Sequence, residues 1–478
     1  MITFSLLPAR NVAFGPSPLL AHLKYFSVFY FAHICAWLTV FVYFPGYMSE
    51  DSVAQLGQAR FGVNSNVYPP LMNYVWSAAD RIIPGPAGML ILHNLVFWHA
   101  LALISHIVIR STRWRFIFIG LAGFWPPTYG SLGTIWKDVG MQVFLLSAVA
   151  FMLYSGYLRR IWPLGLSFLC LFLSGGYRHN AIAAGVPLVF LLATELTKLL
   201  CDQYPHLQRL IEQHSLFRSF RLGVAVLFTA LLAAAVTFVG TFNVTDVKLW
   251  TSAFVYDLVG ISVRQNVNYL PPYYNPGERI KVEDLKGIYS PLHANSLGDP
   301  GIRKALGVIN PSSKSIQILV LSDSQARNLT QRWLTAVLDN LGSYLDHRLI
   351  LAGNLLVVTP RRPWYPYVEG ISPNPFGLIF RQSQLNKIVM RIIHFSAFET
   401  NLYSAWIYYL IVALCFCISF VWDFAHARTV QILFLSSFLY FISIFLFGMS
   451  GDFRYNIWML TCSYICPALL LGGGRHKR

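Results

Sequence analysis

The sequence predicts an all-α polytopic membrane protein with about ten transmembrane helices and a loop-rich external domain. Hydrophobic residues make up 55% of the 478-residue chain and charged residues only 12%, about half the charged fraction of an ordinary soluble protein. Long apolar stretches recur along the chain, as expected for helices that cross a bilayer. Lys and Arg cluster in every second gap between those stretches, as the positive-inside rule requires.

The predicted spans follow one another from the first apolar stretch to the last. They are 25–44, 87–109, 116–133, 138–157, 161–174, 181–200, 222–243, 403–421, 430–449 and 455–472. Most of them reach the roughly 17–25 residues that a helix needs to cross the hydrocarbon. The stretch 161–174 is short, and we expect it either to extend from Arg159 or to tilt behind its neighbours. The first stretch is too long and too aromatic for a signal peptide, so we expect it to be retained as a helix.

Basic clusters orient the predicted spans in the membrane. Lys and Arg gather at 10–24, 110–115, 158–160, 205–221, 426–428 and 475–478. The positive-inside rule places these gaps, and with them both termini, in the cytoplasm. The net charge of +16 is therefore mainly a topology signal that also favours contact with anionic membrane lipids. We expect no nucleic-acid partner, because no soluble segment carries a basic stripe interleaved with aromatic residues.

Three regions are predicted along the chain. They are an N-terminal transmembrane module at 1–243, an external domain at 244–400 and C-terminal transmembrane helices at 401–478. The external domain is rich in proline, and the stretch 325–358 within it is predicted to be helical. All seven cysteines lie outside this domain, so neither a disulfide framework nor a cysteine-based zinc site is expected in it.

The first external loop, 45–86, is predicted to contain two helices that lie along the membrane surface. Pro45-Gly46 is expected to end the first span. Ser49 followed by two acidic residues is typical of a helix N-cap. Pro70 and the apolar residues after it predict the second helix.

Four polar clusters occupy the outward-facing gaps, and we expect them to form one external site. They are Glu50-Asp51, Lys137-Asp138, Arg178-His179-Asn180 and Asp452 with Arg454. Charged side chains near helix ends in a membrane raise the free energy of the fold unless they form ion pairs or take part in binding or catalysis. Asp51, with Gln55 in the same loop, is placed to accept a proton from a hydroxyl. The cationic side chains suit a phosphate or another anion.

Each cluster also has a purely structural interpretation. Asp51 caps a helix or is solvated. Lys137 snorkels to the membrane surface beside Asp138 at a helix N-cap. Asp452 pairs locally with Arg454. His179 is structural, as a lone histidine at a membrane interface more often is.

Two further patterns concern the surroundings of the site. Gly175-Gly176 is expected to break one helix, so that Arg178 opens the next. The aromatic run 364–367 either stacks on a sugar ring or lies in the interfacial belt of the membrane. The belt is the favoured interpretation.

The order of these motifs resembles the GT-C superfamily of integral-membrane glycosyltransferases, in particular its bacterial envelope members. The similar motifs are Pro45-Gly46-Tyr47, Asp51-Ser52, Gln55, Gln58, Pro69-Pro70, Lys137-Asp138, Arg178-His179-Asn180, Trp333 and Tyr344-Leu345. Each motif is short, but together they extend over most of the chain. Related chains often have His before the first proline of the loop, where this chain has Tyr68, and Glu50-Asp51 is not a full Asp-x-Asp motif.

The resemblance implies a GT-C-like fold in the bacterial inner membrane, with an active site that faces the periplasm. It implies a polyprenyl-phosphate-linked sugar as donor, and a glycan or surface protein is the expected acceptor. Asp51 falls at the position of the catalytic residue. Expected ligands of the donor phosphate are Lys137, Arg178, His179 and Arg454, and expected supporting residues are Glu50, Gln55, Tyr68, Asp138, Asn180 and Asp452. A divalent cation is possible but is not required by the sequence.

Other functions remain open at this point. An O-antigen ligase or polymerase would transfer whole chains rather than one sugar. A flippase or transporter of lipid-linked glycans would need polar residues at mid-membrane depth, and His33, His99, His106 and Glu195 do not form a relay in the sequence. A non-catalytic assembly factor would not need the clustered external charges.

Overall fold

The computed structural model describes residues 18–204, 206, 217–274, 280–298, 321–358, 362–422 and 424–472. Within these ranges the chain forms 18 α-helices and one two-stranded parallel sheet. The predicted basic cluster at 475–478 lies outside the described residues, as do parts of the clusters at 10–24 and 205–221.

The helices of the described ranges are numbered in chain order. The first nine are α1 (Pro18–Tyr43), α2 (Glu50–Phe61), α3 (Pro70–Ile82), α4 (Ala87–Val108), α5 (Thr112–Gly123), α6 (Pro126–Leu132), α7 (Lys137–Leu158), α8 (Trp162–Tyr177) and α9 (Ala181–Gln203). The others are α10 (Phe217–Thr241), α11 (Trp250–Gln265), α12 (Val282–Ile288), α13 (Asp323–Asp339), α14 (Leu341–Leu355), α15 (Gln384–Phe398), α16 (Ala405–Val421), α17 (Ala427–Phe447) and α18 (Ile457–Gly472). The sheet pairs β1 (Asn64–Ser65) with β2 (Val244–Thr245).

Seven helices of the described chain are long and apolar enough to cross a membrane, which agrees with the predicted all-α membrane class. They belong to α1, α4, α7, α9, α10, α17 and α18. The helices α8 and α16 are apolar but shorter. The predicted single span at 116–133 is instead two short helices, α5 and α6. Pro126-Pro127 explains the break, because proline lacks the N–H that a continuing helix needs.

The spanning helices pack around α7. This helix contacts α4, α8, α9 and α18, and 78% of its apolar span is buried within the protein. By contrast, only 17% of the span of α10 is buried, so α10 presents most of its apolar surface outward. A helix that is apolar on all sides and enclosed by others forms the centre of the bundle.

The predicted external segment 244–400 divides between two hydrophobic cores. Residues of α11 to α14, from Val255 to Leu351, form a separate core. Val368 and Met390, which follow them in the chain, pack into the core of the spanning helices instead. The predicted helix at 325–358 is two helices, α13 and α14, which meet at Asn340.

The two helices predicted between residues 45 and 86 are present. The helix α1 ends at Tyr43, and Gly46 follows with φ of 117°, a backbone conformation that favours glycine. The side chain of Ser49 accepts a hydrogen bond from the N–H of Ser52 and so caps α2. The helix α3 begins at Pro70.

The predicted helix break at Gly175-Gly176 is wrong, because α8 continues through both residues to Tyr177. Their role is close packing. A Cβ atom on Gly176 would lie 2.9 Å from Cβ of Leu71 on α3, a distance that no change of rotamer relieves. Glycine therefore allows α3 to approach α8.

We expect Gly176→Ala to lower the free energy of unfolding by about 1–3 kcal/mol, because overpacking forces the backbones of α3 and α8 apart. Gly165 lies on the same helix, and a Cβ there meets no atom within 4 Å. Gly165→Ala should therefore be neutral or stabilising by up to about 1 kcal/mol. Thermal unfolding in detergent, followed by tryptophan fluorescence, compares the two variants. Equal midpoints would show that α3 and α8 are not in close contact.

Candidate functional site

The first turn of α2 is bound to the start of α7. The hydroxyl of Ser52 donates to the carbonyl of Ile135 at 2.8 Å, and the indole N–H of Trp136 donates to Oγ of Ser49 at 3.0 Å. All four residues are buried. These bonds bring Asp51, the second residue of α2, to the same end of the bundle as Lys137, the first residue of α7.

Arg454 lies where three polypeptide segments meet. It belongs to a short 3₁₀ turn, Phe453–Asn456, that leads into α18. Its Nη1 is 3.0 Å from Oδ2 of Asp51, and its Nε is 2.9 Å from Oδ2 of Asp452. Oδ2 of Asp138 on α7 is 4.0 Å from the same Nε. The guanidinium is thus surrounded by carboxylates from α2, α7 and its own turn.

Arg178 forms a second, deeper ion pair. Its Nη1 contacts Oδ1 of Asp138, and its guanidinium carbon lies 4.3 Å from the centre of the Tyr455 ring. Asp138 is fully buried and Arg178 nearly so. Asp138 therefore lies between two arginines and balances charge that solvent cannot reach.

Lys137 differs from the two arginines because its charge is not neutralised by contact. Its Nζ lies 5.2 Å from the centre of the Tyr68 ring. None of the described carboxylates lies within 4 Å of that nitrogen. Lys137 is half-buried, so its ammonium is a partly desolvated cation that still has room for an anionic ligand.

Several of these groups line a cavity of about 460 Å³. Asp51, Tyr68, Lys137 and Arg454 line it, together with Tyr365 from the segment before α15. The cavity is lined by both charged and aromatic side chains, and a combination of this kind is typical of sites that bind polar ligands with a flat apolar face.

The loop before Arg454 is held by the separate core of α11 to α14. Nη1 of Arg348 donates to the carbonyl of Gly448 at 2.6 Å, and the N–H of Ala294 donates to the carbonyl of Met449 at 2.7 Å. Arg348 is fully buried. The position of the Arg454 turn is therefore set from outside the spanning bundle as well as from within it.

Electrostatics keep Asp51 ionised. Burial raises the pKa of this carboxyl, but the charges of Arg454 and Lys137 outweigh burial and lower the pKa to about 2. The pKa of Tyr68 is raised by burial and by Asp51, so its hydroxyl stays protonated and donates to Oδ1 of Asp51 at 3.4 Å. Because the pKa of Asp51 is lowered on folding, its ionisation stabilises the fold above about pH 4, and this contribution is lost as the pH falls through about 2.

The predicted site residues divide into three groups. Glu50, Asp51, Tyr68, Lys137, Asp452 and Arg454 line the cavity. Asp138 and Arg178 are buried and interact with Arg454 or with each other. Gln55, His179 and Asn180 do not line the cavity.

The residues of the third group have other surroundings. Gln55 is buried between α2 and α3, where its amide donates to Oδ1 of Asn73 at 3.5 Å. Loss of hydration and the charges of Lys137 and Arg178 lower the pKa of His179. His179 is therefore expected to be neutral at pH 7 and not the cation that the sequence suggested. Asn180 precedes α9 without a side-chain cap.

Apart from Tyr68, the aromatic residues around Arg454 were not predicted as site residues from the sequence. The guanidinium of Arg454 lies 5.1 Å from the ring centre of Trp136, 5.4 Å from Tyr455 and 5.8 Å from Tyr365. Trp364 and Tyr365 line the cavity, although the interfacial belt was the favoured interpretation for this run. The sequence showed the run of aromatic residues at 364–367, but it did not indicate whether their side chains face the membrane interface or a binding site.

A buried charge network in the separate core was also not predicted from the sequence. Asp257 on α11 is 2.7 Å from Nη2 of Arg348 and accepts a hydrogen bond from Trp333 at 2.8 Å. His347 lies 3.4 Å from the same carboxylate. His347 and Arg348 fall within the helix predicted at 325–358, but their partner Asp257 stands about 90 residues earlier in the sequence.

Carboxylates of the site interact with arginine. Among the described residues, no group of three or more His, Cys, Asp or Glu side chains is arranged to hold a metal ion. Two of the carboxylates at the site, Asp51 and Asp452, bind the guanidinium of Arg454.

No known protein family, curated protein or solved structure matches this chain. Its function is therefore inferred from the geometry and chemistry of its own residues.

The ionisation of Asp51 is expected to depend on Arg454. At pH 5, about one Asp51 carboxyl in a thousand is protonated when the pKa is about 2. Arg454→Gln leaves burial opposed mainly by Lys137, so the pKa should rise. Dicyclohexylcarbodiimide modifies protonated carboxyls in apolar surroundings. We expect it to label Asp51 at pH 5 in Arg454→Gln and to leave the wild type unlabelled, as measured by peptide mass spectrometry.

Two further variants control this measurement. Arg454→Lys retains the charge and should protect Asp51 almost as well as arginine does. Arg264→Gln removes a guanidinium that pairs with the exposed Asp346 and should not alter the labelling of Asp51. Equal labelling of Asp51 in Arg454→Gln and the wild type would mean that the ion pair does not set its pKa.

Proposed function

We propose that this protein is an integral-membrane glycosyltransferase of GT-C type, which moves one sugar from a polyprenyl-phosphate carrier to an envelope glycan or surface protein. The proposal places it in the bacterial inner membrane with about ten spans, counting shorter apolar segments, and with the cavity facing the periplasm. The supporting observation is a cavity that exposes an ionised carboxylate, Asp51, and a cation, Lys137, that has no described carboxylate within 4 Å. A base and a phosphate ligand are the two groups that this reaction requires.

Lys137 is the proposed first ligand of the donor phosphate. An ammonium with no carboxylate among the described residues within 4 Å gains more from an incoming anion than one already paired. Arg454 is the second ligand. Its Nε and Nη1 contact Asp452 and Asp51, whereas its Nη2 donates no hydrogen bond to the described residues. Arg178 lies behind Asp138 and acts by orienting it.

Asp51 is the proposed general base. It removes the proton of the acceptor hydroxyl while that oxygen attacks the anomeric carbon of the sugar. The bond from the anomeric carbon to the phosphate oxygen breaks, and the lipid phosphate leaves with both electrons. A single displacement of this kind inverts the anomeric centre. Cations beside the leaving oxygen act where negative charge develops.

A carboxylate with a pKa of about 2 is a weak base, because efficient bases have a pKa near the working pH. Binding of the donor phosphate would raise the pKa of Asp51. When it binds to Arg454, it competes with Asp51 for the guanidinium and weakens the ion pair that lowers the pKa of Asp51. The base would then become stronger only after the donor is bound, which limits unproductive proton transfer.

The function is tested by mass spectrometry of envelope glycans in a deletion strain, complemented at matched expression. We expect the deletion to remove one sugar residue and the wild-type protein to restore it. Asp51→Asn should fail to restore it, because loss of a general base lowers kcat by about 10²- to 10⁴-fold. Asp346→Asn is the matched control. Its carboxylate is 62% exposed and lies on α14 of the separate core, so it should restore the sugar fully.

The other outcomes are distinct. Full restoration by Asp51→Asn would remove the proposed mechanism and favour a flippase or an assembly factor. Loss of entire glycan chains in the deletion strain would indicate a ligase or polymerase. An unchanged glycan profile in the deletion strain would contradict all of these enzymatic assignments.

A further inference from the structure

The helix α15 has three separate faces. One face is buried and contains Asn386, Met390, Ile393 and Ala397. The second exposes four large apolar side chains, each between 36% and 60% exposed: Leu385, Ile388, Ile392 and Phe395. These positions follow the i, i+3, i+7 spacing of a single helix face. The third face is basic and carries Lys387 and Arg391, which are exposed and one turn apart.

The buried face attaches α15 to the end of a spanning helix. The amide of Asn386 donates to the carbonyl of Val42 on α1 at 3.0 Å, and the hydroxyl of Tyr47 donates to its Oδ1 at 2.9 Å. The helix also packs on α6. At this end, α1 exposes further apolar surface, with Phe41 68% exposed. The exposed apolar face of α15 therefore extends a surface that faces lipid.

We propose that α15 lies in the headgroup region of the bilayer and binds anionic phospholipid through Lys387 and Arg391. The apolar face would enter the acyl region, and the basic face beside it would contact lipid phosphate. This division of a helix surface is typical of interfacial helices. The helix contains no Asp or Glu, and neither Lys387 nor Arg391 forms an ion pair within the described chain. Both charges are thus available to a phosphate.

The placement also has a consequence for the corner between α1 and α2. Tyr47, which Asn386 contacts, also receives a backbone hydrogen bond from Ile135 at the start of α7. That corner leads directly to Ser49 and Asp51. A helix held at the membrane surface therefore fixes the height of the site above the bilayer. This inference does not depend on the proposed glycosyltransferase activity.

The experiment measures lipid binding to the full-length protein in detergent by native mass spectrometry. The protein is titrated with phosphatidylglycerol and, separately, with phosphatidylcholine. Each basic residue at a membrane surface contributes about fivefold in affinity. We therefore expect the double variant Lys387→Gln/Arg391→Gln to bind phosphatidylglycerol about 25-fold more weakly and phosphatidylcholine equally well. Both side chains are exposed, so the fold should be unaffected.

A matched double variant, Lys281→Gln/Lys286→Gln, removes two exposed cations next to and on α12, in the separate core. It should bind phosphatidylglycerol as the wild type does. Equal affinity of the α15 variant and the wild type for phosphatidylglycerol would overturn the proposal. A wild-type dimer that Ile388→Glu/Ile392→Glu dissociates would also overturn it, because a second copy would then cover this face.

Discussion

The burial of Arg454 is the constraint on which the rest of the site depends. A guanidinium removed from water costs several kcal/mol unless carboxylates compensate it. Asp51 and Asp452 contact it, and Asp138 approaches to 4.0 Å. Because these carboxylates belong to α2, α7 and the turn before α18, neutralising one charge requires three distant segments to converge. The same convergence brings Lys137, the first residue of α7, to the cavity wall.

A second buried guanidinium extends this constraint to the separate core. Arg348 pairs with Asp257 at 2.7 Å and donates to the carbonyl of Gly448. An arginine with fixed donors can bind a carboxylate and a carbonyl simultaneously, whereas lysine presents a single point charge. The hydrogen bond from Arg348 to Gly448 therefore attaches the loop that leads to Arg454 to α14. Water does not replace this bond, because both partners are buried. Movement of the separate core would be transmitted to the cavity through this bond.

Local features of the fold could be predicted from the sequence, whereas the pairing at the site could not. The Ser49 cap and the start of α3 at Pro70 depend on neighbouring residues and were correct. The pairing of Asp51 with Arg454 joins residues 403 positions apart, and no spacing rule reports such a contact. Gly176 was misinterpreted because a glycine that ends a helix and one that admits a neighbouring helix look identical in a sequence. The α15 helix was missed because proline-rich segments on its N-terminal side predicted loops.

Charge at the site is divided between paired groups and one cation without a close partner. The guanidiniums of Arg178 and Arg454 contact Asp138, Asp452 and Asp51, so three carboxylates surround two arginines. The ammonium of Lys137 brings the sum of these six charges to zero, although no carboxylate of the described residues lies within 4 Å of it. Lys137 also lines the cavity and is only partly hydrated, so an anion that approaches it gains more than it would in water. In the proposed reaction the donor phosphate would therefore bind Lys137 first, and Arg454 would have to loosen its contact with Asp51 before it could bind the same phosphate fully.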